Sequence, residues 1–153
     1  MRKRIAALAA VGTLAAFGSV ALATESERQV HGHLFSQVLT GPACTSPIGL
    51  CTAGRLTGVI NGDFVFSATR LEPSDTPGIL FYTGTIVVQT NRGEVRCQDA
   101  GAFGVNPPGP VVDICTITSG TGDWAGVTGH IRIHGTFTFT EGGNSKYEGV
   151  ISH

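Results

Sequence analysis

The sequence predicts an all-β protein, an eight-stranded antiparallel up-and-down β-barrel. Eight segments rich in β-branched and aromatic residues follow one another along the chain, separated by glycine, proline and other turn residues. Within several segments apolar and polar side chains alternate, so one face of the sheet is apolar and the other largely wet. Closing such a sheet into a barrel removes its edge strands. An open sandwich, which would leave edges to protect, is the alternative.

Each predicted strand is bounded by turn signals. Asn61-Gly62 is the strongest short hairpin signal, and Pro73 and Pro77 argue against a helix after the third strand. No segment reads as a convincing helix. The predicted strands are 30–40, 55–60, 63–71, 79–90, 94–99, 111–119, 128–140 and 146–152, with the longest loops at 41–54 and 100–110.

The N-terminal segment is typical of a secretory signal peptide. Arg2, Lys3 and Arg4 precede an apolar run, and Ala21-Leu22-Ala23 forms a signal peptidase site before an acidic, polar start. A transmembrane anchor is the alternative. We expect a signal peptide over 1–23 and a single secreted domain over 24–153.

Charge argues against several partners. The expected cleavage removes three of the ten basic residues and leaves seven against eleven acidic ones, a net charge of −4. Without a basic stripe, nucleic acid and anionic membrane surfaces are poor partners. No second long apolar run follows, so membrane insertion is not expected after signal removal.

The four cysteines are expected to form two disulfides, because an exported chain meets an oxidising compartment. Of three possible connectivities we favour the local one, Cys44–Cys51 and Cys97–Cys115. A zinc site would require closer cysteine pairs than the gaps of six and seventeen residues in this chain.

One glycine-rich stretch matches the G-x-G-x-x-A pattern of a dinucleotide-binding loop, at residues 120–125. That loop requires a following helix, whereas residues 128–140 read as a strand. We therefore predict a structural turn, in which the aromatic side chain packs over a barrel end, and no nucleotide or other cofactor. The turn residues are Gly120, Gly122, Trp124, Gly126 and Gly129.

Residues 119–129 resemble the glycine-rich signature "GGTG-x-F-x-G-A-x-G" of the allene oxide cyclase and dirigent superfamily, with Trp124 at its aromatic position and Gly129 at its closing glycine. The segments "CTSPIGLC", "GRLTGVINGDFVF" and "YEGVI" are similar to secreted bacterial members of unsettled function. The resemblance implies an eight-stranded barrel with an apolar cavity, cofactor-free cyclisation or stereochemical guidance in some relatives, and a trimer. No catalytic residue carries over, because the shared motif is a turn.

Candidate cavity residues follow from the strand faces. Aromatic side chains could line a cavity or simply fill it, since an eight-stranded barrel is just wide enough for side chains. Asp99 and Asp113 are the candidate buried acids; in an apolar cavity either would have a raised pKa and could act as a general acid or base. The candidate lining residues are Phe64, Phe66, Phe81, Phe137 and Phe139.

Four histidines form weak candidates for a zinc or copper site. His31 and His33 share a face of one predicted strand, and His130 and His134 share a face of another. The cation of Arg132 lies between the second pair and argues against a metal. Histidines on a polar outer face are the favoured interpretation, and no metal site is predicted.

Two functional classes follow from these features. The leading hypothesis is a secreted barrel that holds a small apolar ligand, as a binding protein, a stereochemical guide or a cofactor-free cyclase or isomerase. The alternative is a structural or interaction protein with a filled barrel; both faces of strand 79–90 are apolar, which suggests an oligomer interface. Metal binding through the histidines is a weaker alternative.

Overall fold

The computed structural model describes residues 26–153 and shows a closed antiparallel barrel of eight strands. The fold prediction is confirmed, while the expected signal peptide over 1–23 lies outside the described residues. Each strand pairs with the next along the chain, and the last pairs with the first. The strands are β1 (Glu27–Leu39), β2 (Cys51–Gly58), β3 (Gly62–Pro73), β4 (Ile79–Thr90), β5 (Gly93–Gly104), β6 (Gly109–Gly120), β7 (Thr128–Thr138) and β8 (Gly142–Ser152).

Helical structure in the described residues amounts to two short 3-10 turns, Gly41–Ala43 and Gly122–Trp124. No helix within 26–153 has the length and apolar character needed to cross a membrane.

The predicted loop at 100–110 is wrong at both ends. β5 continues through Gly104 and β6 begins at Gly109, so the connection is confined to residues 105–108. Ala100, Gly101 and Ala102 have weak strand propensity, but each pairs with a residue of β6, and this pairing overrides the local preference. The predicted loop at 41–54 is likewise too long, because β2 begins at Cys51.

One end of the barrel is closed by packed side chains. Trp124 is 4% exposed, and its indole Nε1 donates a hydrogen bond of 3.0 Å to Thr90 Oγ1. The Arg92 guanidinium lies 5.5 Å from the centroid of the same ring. The Tyr147 hydroxyl donates to the Ile60 carbonyl at 2.9 Å and accepts from the Ile60 amide at 2.8 Å. These contacts cover the end at which residues 121–127 connect β6 to β7.

The glycine-rich stretch forms this closing turn. Gly122 has a φ of 60°, and a Cβ there would lie 2.3 Å from the Arg92 carbonyl oxygen, so only glycine fits. The chain then enters strand β7, and no helix follows the glycines.

Two disulfides link neighbouring parts of the barrel. Cys97 and Cys115 join β5 to β6 on the inner face, where both side chains are buried. Cys44 and Cys51 join the β1–β2 loop to the start of β2. Both pairings are those that the spacing favoured.

Candidate binding cavity

The barrel interior contains a cavity at the end opposite Trp124. Its volume is about 80 Å³, and inward-facing residues of all eight strands line it. Most of the lining is aromatic or aliphatic, with two carboxyl groups and several hydroxyls. The lining residues are Leu34, Ser36, Leu50, Thr52, Phe64, Phe66, Tyr82, Ile86, Asp99, Phe103, Val111, Asp113, Ile133, Phe137, Gly143 and Ser145.

Strand alternation directs both aspartates inward. Asp99 lies two residues after the buried Cys97, and Asp113 lies two residues before the buried Cys115, so all four side chains share the inner face. Asp99 is 1% exposed and Asp113 is 7% exposed. Gly101, the cross-strand partner of Asp113, leaves space for this side chain and for the Tyr82 hydroxyl, because a Cβ there would lie 2.4 Å from the Asp113 Cβ and 2.8 Å from the Tyr82 hydroxyl oxygen.

The two carboxyl groups have few hydrogen-bond donors. The Tyr82 hydroxyl on β4 donates a short bond of 2.6 Å to Asp113 Oδ2. The Oδ1 atoms of Asp99 and Asp113 are buried and have no hydrogen-bond partner. Buried polar atoms are nearly always paired in folded proteins, so two orphaned carboxyl oxygens beside one cavity mark a site that a ligand or water would complete.

Burial is the largest cause of the pKa shifts of Asp99, Asp113 and Tyr82. Loss of solvent, and then the charge of Asp113, raise the pKa of Asp99 to about 8. Burial raises the pKa of Asp113 to about 6, opposed by the hydrogen bond from Tyr82. The pKa of Tyr82 also rises, mainly through burial and then through the two aspartate charges, so its hydroxyl stays protonated. Near neutral pH the carboxyl pair therefore retains one proton.

The structure separates the five phenylalanines proposed to line the cavity. Phe64, Phe66 and Phe137 line it. Phe81 is 52% exposed on the outer face of β4, so its assignment to the cavity is wrong. Its neighbour Tyr82 faces inward, because Tyr82 shares the strand parity of the buried Ile86 and Val88.

Phe139 lies beyond the end of β7 and is half exposed, so it does not line the cavity either. Its ring packs edge-to-face with Phe103 and Phe137, with centroid distances of 5.6 Å and 5.4 Å. Phe139 therefore extends the aromatic group at the rim of the cavity.

Several lining residues were missed from the sequence. Tyr82 lay on a strand whose two faces are both apolar, so alternation alone did not select it. Phe103 lay within the segment predicted as a loop, where no face could be assigned. Ser36, Thr52 and Ser145 are polar residues with no pattern that marks an inner position.

The four candidate metal-binding histidines lie on the outer face, on β1 and β7, with β8 between them. In register, Lys146 separates His33 from His134, and Glu148 separates His31 from Arg132. Across residues 26–153 no three His, Cys, Asp or Glu side chains are grouped so that they could hold a metal ion.

No family model and no curated protein sequence matches this chain. Among solved structures, the chain is similar to the pterocarpan synthase dirigent protein GePTS1, with 15% sequence identity and a TM-score of 0.47. The likeness covers 91% of this chain and 99% of that one.

Proposed function

We propose that this protein holds a small, largely apolar molecule in the barrel cavity, with Asp99 and Asp113 as its polar anchor. The observation that carries the proposal is the pair of buried carboxyl groups with unpartnered oxygens beside an apolar cavity. Apolar walls with a few convergent polar groups are typical of small-molecule sites. Burying two acids opposes folding, and buried acids with strongly raised pKa values are typical of functional sites.

The cavity volume limits the ligand. An apolar cavity of about 150 Å³ holds a benzene molecule, whereas this one measures about 80 Å³. A compact body of four or five carbon atoms therefore fits best, and a larger ligand would extend past the rim, where Phe103, Phe137 and Phe139 pack together.

The same pair supports a cofactor-free proton transfer as a further activity of this site. Because the hydrogen bond from Tyr82 lowers the pKa of Asp113, while the charge of Asp113 raises that of Asp99, Asp113 is the group that ionises first and would act as the general base. Asp99 keeps its proton longer and would act as the general acid. The base would remove a proton from one ligand atom while the acid returns one to another, as an isomerisation or cyclisation requires.

We also propose that the protein acts outside the cell. Two disulfides join the β1–β2 loop and the β5–β6 pair, and such bonds persist in oxidising compartments. A signal peptide over residues 1–23 would provide the export route.

Binding can be tested with a pair of neighbouring substitutions. Val111 faces the cavity and Val112 faces outward, so Val111→Trp fills the cavity while Val112→Trp adds the same side chain to the surface. We expect isobutanol and the larger benzyl alcohol to shift the methyl NMR signals of Ile86 and Ile133 in the wild type and in Val112→Trp. Loss of these shifts in Val111→Trp supports the proposal. Shifts that are equal in both variants, or absent from the wild type, would refute it.

A second candidate is a structural or interaction role in an assembly of identical copies. Phe81, Val112 and Ile114 form an outer apolar patch across β4–β5–β6, and each is about half exposed. If copies pack through this patch, Ile114→Lys lowers the mass measured by sedimentation, whereas Val150→Lys on the outer face of β8 does not. A monomeric wild type would refute the assembly.

A further inference from the structure

We propose that the ligand of this cavity carries a protonated amine, which binds to Asp99 and Asp113 while its apolar body contacts the surrounding aromatic and aliphatic side chains. The inference rests on the proposed function, that the cavity binds a small molecule. It adds the chemical class of that molecule, a small alkylammonium.

Hydrogen-bond capacity is the first argument for an amine. Two carboxyl groups offer several acceptor positions, of which the Tyr82 hydroxyl occupies one. The Oδ1 atoms of Asp99 and Asp113 remain without a donor. An ammonium group brings three donors and no acceptor, so every hydrogen of the ligand head can meet an acceptor. A hydroxyl group brings one donor, which can reach only one of the two orphaned oxygens.

Charge is the second argument. The cavity lining includes no lysine, arginine or histidine, so the acids have no cation of the protein beside them. The polar side chains that β1, β2 and β8 contribute to the lining are the uncharged hydroxyls of Ser36, Thr52 and Ser145. In residues 26–153 the ion pairs all involve solvent-exposed arginines outside the cavity: Arg55–Asp63, Arg70–Glu72, Arg92–Asp123, Arg96–Glu94 and Arg132–Glu148.

An ammonium would supply the missing cation. It would favour the charged form of both acids, against the effect of burial. The rings of Phe66 and Phe103 each pack against the ring of Tyr82 in the cavity lining, and aromatic rings near a cation stabilise it. Ligands with a carboxylate or phosphate head would be rejected, because their charge has the same sign as that of the acids.

The test compares three ligands that share a branched apolar body: isobutylamine, isobutanol and isobutyrate. An alkylamine has a pKa near that of lysine, about 10.4, so it is protonated at pH 7. We expect isobutylamine to bind at least tenfold more tightly than isobutanol, the order expected of a charge-assisted hydrogen bond, and isobutyrate not to bind. Methyl shifts of Ile86 and Ile133 report occupancy, and calorimetry reports affinity.

Proton release provides a second readout. Binding of the ammonium should ionise the pair and release close to one proton at pH 7, measured from the heats of binding in phosphate and in MOPS, two buffers that contain no primary amine. The double variant Asp99→Asn, Asp113→Asn should bind isobutanol and isobutylamine equally, without proton release. Asp75→Asn, which changes an exposed acid in the β3–β4 loop, serves as the control and should behave as the wild type.

The outcomes separate the two proposals. If none of the three ligands shifts the cavity methyl signals, the proposed binding function is wrong. If isobutanol binds as tightly as isobutylamine in the wild type, or if the amine preference survives in the double variant, the cavity binds small molecules but the amine inference is wrong.

Discussion

Replacing Asp99 by asparagine should remove most of the stability that we expect this protein to lose between pH 5 and pH 8. The folded state raises the pKa of Asp99 from 3.8 to about 8, so it holds a proton that the unfolded chain has already lost. Stability from this group is therefore fully present below pH 3.8 and is lost as the pH rises through about 8. At 1.36 kcal/mol per pKa unit, the loss between pH 5 and pH 9 is roughly 4 kcal/mol.

Urea unfolding at pH 5, 7 and 9 measures this effect. Asparagine keeps the shape of the side chain but does not titrate, so Asp99→Asn should flatten the decline by roughly 4 kcal/mol. Asp75→Asn, at an exposed position, should keep the wild-type profile. An equally steep decline in Asp99→Asn and in the wild type would show that Asp99 is not held protonated by burial.

Two further predictions concern the same side of the barrel. Tyr82→Phe removes the hydrogen bond that lowers the pKa of Asp113, so this pKa should rise above about 6, by about 1–2 units if the bond contributes 1.5–3 kcal/mol. NMR titration of the Asp113 carboxyl carbon measures it, and an unchanged midpoint would contradict the assigned bond. The double variant Cys97→Ala, Cys115→Ala should lose about 3 kcal/mol of unfolding free energy in urea. Without the disulfide, the 18-residue separation between the two cysteines is no longer closed into a loop in the unfolded chain, whose conformational entropy therefore rises. Wild-type stability in that variant would show that the bond contributes nothing.

The pair of buried acids links stability to the proposed function. Burial of Asp99 and Asp113 without cations opposes folding, and the raised pKa values of both groups express that cost. A ligand that supplies hydrogen-bond donors and positive charge would offset the cost of burying the two acids and so stabilise the folded protein. Thermal unfolding in the presence of isobutylamine should thus show a higher midpoint than in its absence.

Side-chain alternation made much of the barrel predictable from the sequence. In the first half of β3 and along β7 one face is apolar at every second position, and Phe64, Phe66 and Ile133 face inward as that pattern requires. Asn61-Gly62 marks the β2–β3 turn, and the cysteine spacing favoured the observed disulfides. These signals are local, because each depends on residues that are near one another in the chain.

The cavity residues depend on the tertiary structure. Both faces of β4 are apolar, so only the barrel register shows that Tyr82 faces inward and Phe81 outward. Phe103 belongs to a strand that forms because β6 pairs with it, against the weak propensity of the preceding alanines and glycine.

The sequence by itself determined the all-β class, the number of strands and the two disulfides, because alternation, turn residues and cysteine spacing act over short stretches of chain. Only the tertiary structure decided that Asp99 and Asp113 lie in one cavity with Tyr82, without a cation beside them. Their environment is created by side chains from all eight strands, and the closing of the barrel brings these together. A pKa depends on this environment, and no pattern within a single strand contains it.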